Sequence, residues 1–200
     1  LVLEQSTEKI VAGGAANVIN NSATLGGRIF AAGLVGDDNA AKGLSGILQE
    51  KSVDVTGFVK DANRSTISKT RIVAGGRTTV SQQIVRVDKE SKEPMGKAQE
   101  QQLEEYLKQV LPQVKGVVLS DYGSGTITDK LLGQIFAYCQ EHNIPTIVDS
   151  RYDILRFKTV DYIKQNDAEL SAAIGRDLAT EEELVQGGCE LLVKMSARSE

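Results

Sequence analysis

The chain has 200 residues, 40% of them hydrophobic and 25% charged, with a net charge of −4. That length can bury a sizeable core, as one large domain or a domain with an appendage, and the composition is that of an ordinary soluble globular protein. Mildly acidic, interspersed charge argues against a nucleic-acid or polyanion partner, and no run approaches the roughly 18 apolar residues of a membrane span. No signal peptide is visible. Two isolated cysteines, Cys139 and Cys189, have no CxxC spacing and read as buried thiols in a reducing cytosol. The single histidine, His142, cannot build a His-rich metal site, and its place at a helix end suits the C-terminal dipole.

The first element follows VAGGAANVINNSATLGG, residues 11–27. Ala15, Val18, Ile19, Ser22 and Ala23 keep helical spacing, and Gly26 is a stop signal. Glycine costs helix stability, so Gly13-Gly14 directly before the helix calls for a turn or a ligand. Such a pair lets the backbone approach a ligand without a Cβ clash, and the helix behind it offers free N–H donors. Asn17, about one turn in, carries an amide that can donate to and accept from sugar hydroxyls. A tight junction with Asn17 as a cap is the other reading. The stretch is neither a GxGxxG fingerprint nor a Walker loop, because no GK[ST] follows. A strand is expected over Ile29 to Val35. Asp38 then caps a helix with the stripe Ala40, Ala41, Leu44, Ile47 and Leu48.

The middle changes character. Thr66 to Val73 and Val80 to Asp88 are β-branched and roughly alternating, with the glycine-rich AGGRTT between them. This predicts an antiparallel hairpin projecting from the body, a lid over about residues 58–90. Its Lys69, Arg71, Gln83, Arg86 and Asp88 are either ordinary solvated surface or a lid closing over an anionic substrate.

Strand–helix alternation then returns. Val117 to Ser120, Thr146 to Asp149 and Asp161 to Gln165 read as strands. Thr128 caps a helix with Leu131, Leu132, Ile135, Phe136 and Cys139 on one face. Thr180 to Glu183 is a capping box before a last helix. The expected class is α/β, a doubly wound, mostly parallel sheet with helices on both faces and a small hairpin lid. Ligands of such sheets bind beyond the carboxyl ends of the strands, where Asp121, Asp149 and Asn166 fall. Each alone suits a turn; the three together suggest a lined crevice. Glu169, in the first turn after Asn166, could organise a Mg²⁺–water shell beside phosphates; the other reading is a plain helix cap at Asn166 with a dipole-favoured acid at Glu169.

In order and spacing, GGAANVINNSATLGG, GLVGDDNAAKGL and NDAE resemble the ribokinase/PfkB family of sugar kinases. Within it, SQQIVRVDKE and VVLSDYGSGTIT look most like the kinases of D-glycero-D-manno-heptose 7-phosphate in lipopolysaccharide-precursor synthesis. The resemblance implies a ribokinase-like fold and ATP- and Mg²⁺-dependent phosphorylation of a sugar hydroxyl, here the anomeric hydroxyl of a heptose 7-phosphate. It implies sugar contacts at Gly13, Gly14 and Asn17, nucleotide contacts at Asp149, Asn166 and Glu169, with Glu169 reaching magnesium through water, and a cytoplasmic homodimer joined through the lid. Asp121, Gln83 and Asp88 join the expected substrate contacts. Lys69, Arg71, Arg86 and Arg151 are expected to recognise a phosphate, at least two of them converging near the GGAAN turn.

The chain departs from the family pattern at Ser150-Arg151, where Pro-Lys is frequent, and at Lys164-Gln165, where Thr-Pro is common. Its first strand and the GAGD segment with the catalytic base are expected outside residues 1–200, so no base is expected within them. The alternatives are another sugar kinase of the family, ribokinase- or fructokinase-like, and a kinase-fold protein that binds sugar or nucleotide without catalysis. A dinucleotide-dependent oxidoreductase is disfavoured by the missing fingerprint.

Overall fold

A computed structural model describes residues 7–75, 80–91 and 93–197. The chain divides into two compact units, Leu1–Ser91 and Lys92–Glu200.

In the first unit α1 (Ala15–Thr24) is followed by β1 (Phe30–Gly36), α2 (Asn39–Gln49) and β2 (Asp54–Asp61). α1 ends where Gly26 turns to φ +92°, the stop the sequence signalled. β1 and β2 pair in parallel, with Leu34 opposite Val59, so α2 is the crossover that parallel strands require. Asp38 caps α2 by accepting from the Ala41 N–H at 2.9 Å, as expected. β2 escaped the sequence reading because Gly57 interrupts its apolar run, and glycine weakens a strand pattern. Leu48 is fully buried and packs with Ala31 and Val53, while Ile19, Ala23, Leu44 and Phe58 close the cluster. The stripe predicted for α2 therefore faces the parallel pair.

β3 (Ser68–Ala74) and β4 (Gln82–Lys89) form the expected antiparallel hairpin. It starts two residues later than the pattern suggested, because the buried Thr66 bonds to Gly36 and Asp38 instead of joining a ladder. Of the expected lid span, residues 58–61 belong to β2. The connection at residues 76–79, within AGGRTT, lies outside the described residues.

In the second unit α3 (Lys97–Val110) precedes β5 (Val117–Asp121), α4 (Asp129–His142), β6 (Thr146–Ser150), β7 (Tyr162–Ile163), α5 (Asp167–Ile174) and α6 (Glu181–Met195). β5, β6 and β7 form one parallel sheet in that order. α3 is not among the elements expected from the sequence, although Leu103, Leu107 and Val110 at helical spacing are its buried residues. β7 is shorter than the expected Asp161 to Gln165. Asp161 donates its N–H to the Thr146 hydroxyl, and its carboxylate accepts from the Thr146 N–H and hydroxyl, so a side-chain exchange replaces ladder bonds. At the other end the Gln165 amide donates to the Ser150 carbonyl.

The capping box expected at Thr180–Glu183 forms, and Asn166 and Glu169, expected as a cap and a first-turn acid, form a second one. Cys139 is buried, and burial pushes its thiol pKa up. Cys189 is exposed, which corrects the expectation of two buried thiols: Gly187, Leu191 and Met195 are the buried positions of α6, and Cys189 lies off that face. His142 sits in the last turn of α4, its ring stacked on Tyr138 at 4.0 Å. No helix among the described residues is long and apolar enough to cross a membrane.

Leu48 tests the core of the first unit. Leu48→Ala is expected to lower unfolding stability by about 2–5 kcal/mol, read as a drop in the urea midpoint of that unit's transition.

Candidate functional site

The chain enters α1 through Gly14 at φ 53° and ψ −130°, a conformation open to glycine and strained for any other residue. Gly13 is different: a Cβ added there would meet nothing within 4 Å. Together they leave an exposed, side-chain-free approach to the first turn of a helix. α1 has no side-chain cap. Asn17 donates its backbone N–H to the Gly14 carbonyl at 3.0 Å, and it is exposed. The structure thus does not use Asn17 as the cap.

The hairpin separates its side chains into two faces. Lys69 pairs with Asp88 and Arg71 with Arg86, so these four share one face, and Val73 opposite Gln83 continues it beyond a bulge at Ile84. Thr70 opposite Val87 and Ile72 opposite Val85 form the other, apolar face, which is exposed. All five expected hairpin residues therefore lie together. Lys69 is held by Glu90 at 2.8 Å and Asp88 at 3.5 Å, and the Glu90 bond raises its pKa above the usual ammonium value. Arg86 donates to Asp88 at 2.8 Å. Among the described residues, Arg71 makes only a long 3.5 Å contact, to the Lys69 carbonyl.

In the second unit the carboxyl ends of the strands bring several expected residues together. Asp121 stands opposite Ser150, is buried, and accepts from the Gly123 N–H at 2.9 Å and the Ser150 hydroxyl at 3.3 Å. Asp149 pairs with Lys164 at 3.2 Å, and that bond raises the Lys164 pKa. Arg151 donates its N–H to the Asp121 carbonyl, and its guanidinium lies 5.6 Å from the centroid of the exposed Tyr152 ring. Asn166 and Glu169 bond reciprocally, Asn166 Oδ1 accepting from the Glu169 N–H at 2.8 Å and Glu169 Oε2 accepting from the Asn166 N–H at 3.0 Å.

Lys164, Tyr152 and Ser120 lie among these groups and are not among the expected site residues. Lys164 could have been found as a cation at a strand's carboxyl end. The buried Ser120 hydroxyl, with no hydrogen-bond partner among the described residues, has no sequence signal at all. A cleft of about 300 Å³ lies at the opposite end of β6, lined by Cys139, Gln140, Thr146, Asp161 and Ser196, and contains none of the expected residues.

No group of three or more His, Cys, Asp or Glu side chains is placed to hold a metal among the described residues. Magnesium beside phosphates needs no such cage, since it keeps several waters and uses one or two carboxylates. Glu169 fits that role: Oε2 serves the cap, and Oε1 makes no hydrogen bond among the described residues.

Parallel strands joined by helices, with an antiparallel hairpin beside them, define a ribokinase-like α/β fold. Its solved neighbours include phosphofructokinase-2 from Escherichia coli in complex with substrates and products, at TM-score 0.68 and 23% identity over 92% of this chain and 59% of that one. They also include ribokinase from Arabidopsis thaliana complexed with ribose and ATP, at TM-score 0.68 and 20% identity over 96% and 61%. Residues 1–197 match the pfkB family carbohydrate kinases, and the chain belongs to that family. Among curated relatives, the bifunctional protein HldE of Hyphomonas neptunium is 38% identical over 99% of this chain, and that of Geobacter sulfurreducens 34% over 96%. The chain spans 40% and 38% of the length of these two relatives.

The two glycines are expected to differ. Gly14→Ala forces alanine into a positive-φ conformation and should cost about 1–3 kcal/mol, whereas Gly13→Ala should leave the thermal midpoint within about 1 °C. Differential scanning calorimetry of the two variants checks this.

Proposed function

We propose that this chain is the core of a sugar kinase that transfers the γ-phosphoryl group of ATP to a hydroxyl of a phosphorylated sugar, a heptose 7-phosphate. The observation that carries the phosphosugar is Arg71 directly opposite Arg86 on the polar hairpin face. Like charges facing one another across a ladder destabilise it, and a bound dianion relieves that repulsion. Asp88 neutralises Arg86 in part, leaving Arg71 to a ligand. A neutral sugar has no use for paired guanidinium groups, whereas arginine holds phosphate bidentately. The HldE relatives support the same choice of sugar.

In this reading Gly13 and Gly14 admit the sugar to the first turn of α1, and Asn17 bonds its hydroxyls. Lys69, Arg71, Gln83, Arg86 and Asp88 close over it as the lid. Asp121 and Arg151 are assigned to the substrate as well, and Asp149, Asn166 and Glu169 to the nucleotide. Magnesium, held through water by Glu169, would neutralise charge on the phosphates. Phosphoryl transfer is largely positioning and charge neutralisation, which is what these side chains supply. The exposed apolar hairpin face suits a second copy of the chain, giving a dimer through the lid, and dependence on ATP suits a cytoplasmic enzyme.

Two substitutions in the full-length protein test this. Arg71→Ala should raise the KM for heptose 7-phosphate about ten- to a hundredfold and leave the KM for ATP within about twofold. Asn17→Ala should weaken sugar binding by about 1–3 kcal/mol in calorimetric titration, with ATP affinity unchanged. Preference for an unphosphorylated sugar, with Arg71→Ala neutral, would remove the heptose phosphate and keep the family.

A further inference from the structure

Both strands of the hairpin are exposed for nearly their whole length, so little apolar burial fixes its direction. A two-stranded ribbon alone is marginal in water, and its orientation must be set at its root. That root is unusually well tied. The buried Thr66 donates its N–H to Asp38 Oδ2 at 2.9 Å and its hydroxyl to Asp38 Oδ1 at 2.7 Å. The same hydroxyl accepts from the Gly36 N–H at 2.9 Å. Asp38 Oδ1 also takes the Ala41 N–H that starts α2. One carboxylate thus joins the end of β1, the start of α2 and the entry to β3.

The returning strand runs beside this tie, Lys89 pairing with Ser68, and the Lys89 charge adds a small through-space pull on Asp38. The backbones are in close contact: a Cβ on Gly36 would lie 2.6 Å from the Arg64 carbonyl oxygen and 2.7 Å from the Thr66 nitrogen. Bonds from two backbone N–H groups, Ala41 first and then Thr66, hold the Asp38 carboxyl below its ordinary value of 3.8, so it is ionised at neutral pH. Donors buried against an ionised acceptor cannot be released cheaply.

We infer that Asp38 and Thr66 are positioning residues that aim the lid, fixing the direction in which the Lys69–Arg71–Arg86 face is presented without touching substrate. The inference rests on the lid reading above. Its predicted division is specific. Thr66→Val keeps the shape and removes the hydroxyl, while the Asp38 cap on Ala41 remains. The hairpin should loosen, and α2 should not.

The test is amide hydrogen exchange of the full-length protein without substrate, followed by steady-state kinetics. With Thr66→Val, exchange in residues 68–74 and 82–89 should quicken about tenfold or more, with α2 within about twofold of wild type. Thr66→Ser should restore the wild-type rates. The sugar-phosphate KM should rise with the loosening while the ATP KM stays. If Thr66→Val does not fold, Asp38→Asn carries the test, because asparagine still caps α2 but offers one acceptor oxygen fewer. Unchanged hairpin exchange overturns the inference, as does loosening of α2 in step with the hairpin, which would mark the cluster as plain core. Because exchange is measured without substrate, failure of the kinase reading would appear separately, as absent turnover with the exchange pattern intact.

Discussion

Every α-helix begins with backbone N–H groups that have no partner in the helix, and an α/β chain must satisfy them at each turn from strand to helix. In the described residues Asp38, Thr128, Asn166 and Thr180 each place a side-chain oxygen on such a group. These caps fix where α2, α4, α5 and α6 start, and so where the preceding loops must end. α1 and α3 begin at Gly14 and Gly96 with no side-chain bond. At α1 the missing cap coincides with a glycine in a conformation reserved for glycine. An uncapped helix start leaves N–H donors unmet, and a site that admits a ligand's oxygens against the backbone is one place where that cost is offset.

The same caps do double duty where chemistry is proposed. Asp38 closes α2 and also ties the hairpin root. Glu169 completes a capping box with one oxygen and leaves the other without a hydrogen bond among the described residues. Asp121 holds the turn at Gly123 and the Ser150 hydroxyl while standing at a strand's carboxyl end. A group fixed by two or three hydrogen bonds has little rotamer freedom left to lose on binding, and this is how a site becomes ordered before its ligand arrives.

The hairpin follows the opposite rule. Its polar face is a mesh of ion pairs among Lys69, Arg86, Asp88 and Glu90, and exposed pairs of this sort contribute little to stability. Its apolar face is exposed, and such a surface suggests a partner. The hairpin thus combines weak internal cohesion with a firm root at Asp38 and Thr66.

Much of this was legible in the sequence because it depends on neighbours along the chain. Helical stripes, the caps at Asp38, Thr128 and Thr180, the Asn166–Glu169 box and the alternation of the hairpin are all local patterns, and the ordered motifs that resemble the sugar kinases are local as well. β2 was hidden because a glycine broke its pattern and only pairing with β1 made it a strand. β7 came out short because a side-chain exchange between Thr146 and Asp161 displaced its ladder. The Asp38–Thr66 tie, the Asp149–Lys164 pair and the burial of the Ser120 hydroxyl were decided by tertiary structure alone. The two pairs join residues 28 and 15 positions apart in the chain, and no short window of sequence contains both members of such a pair.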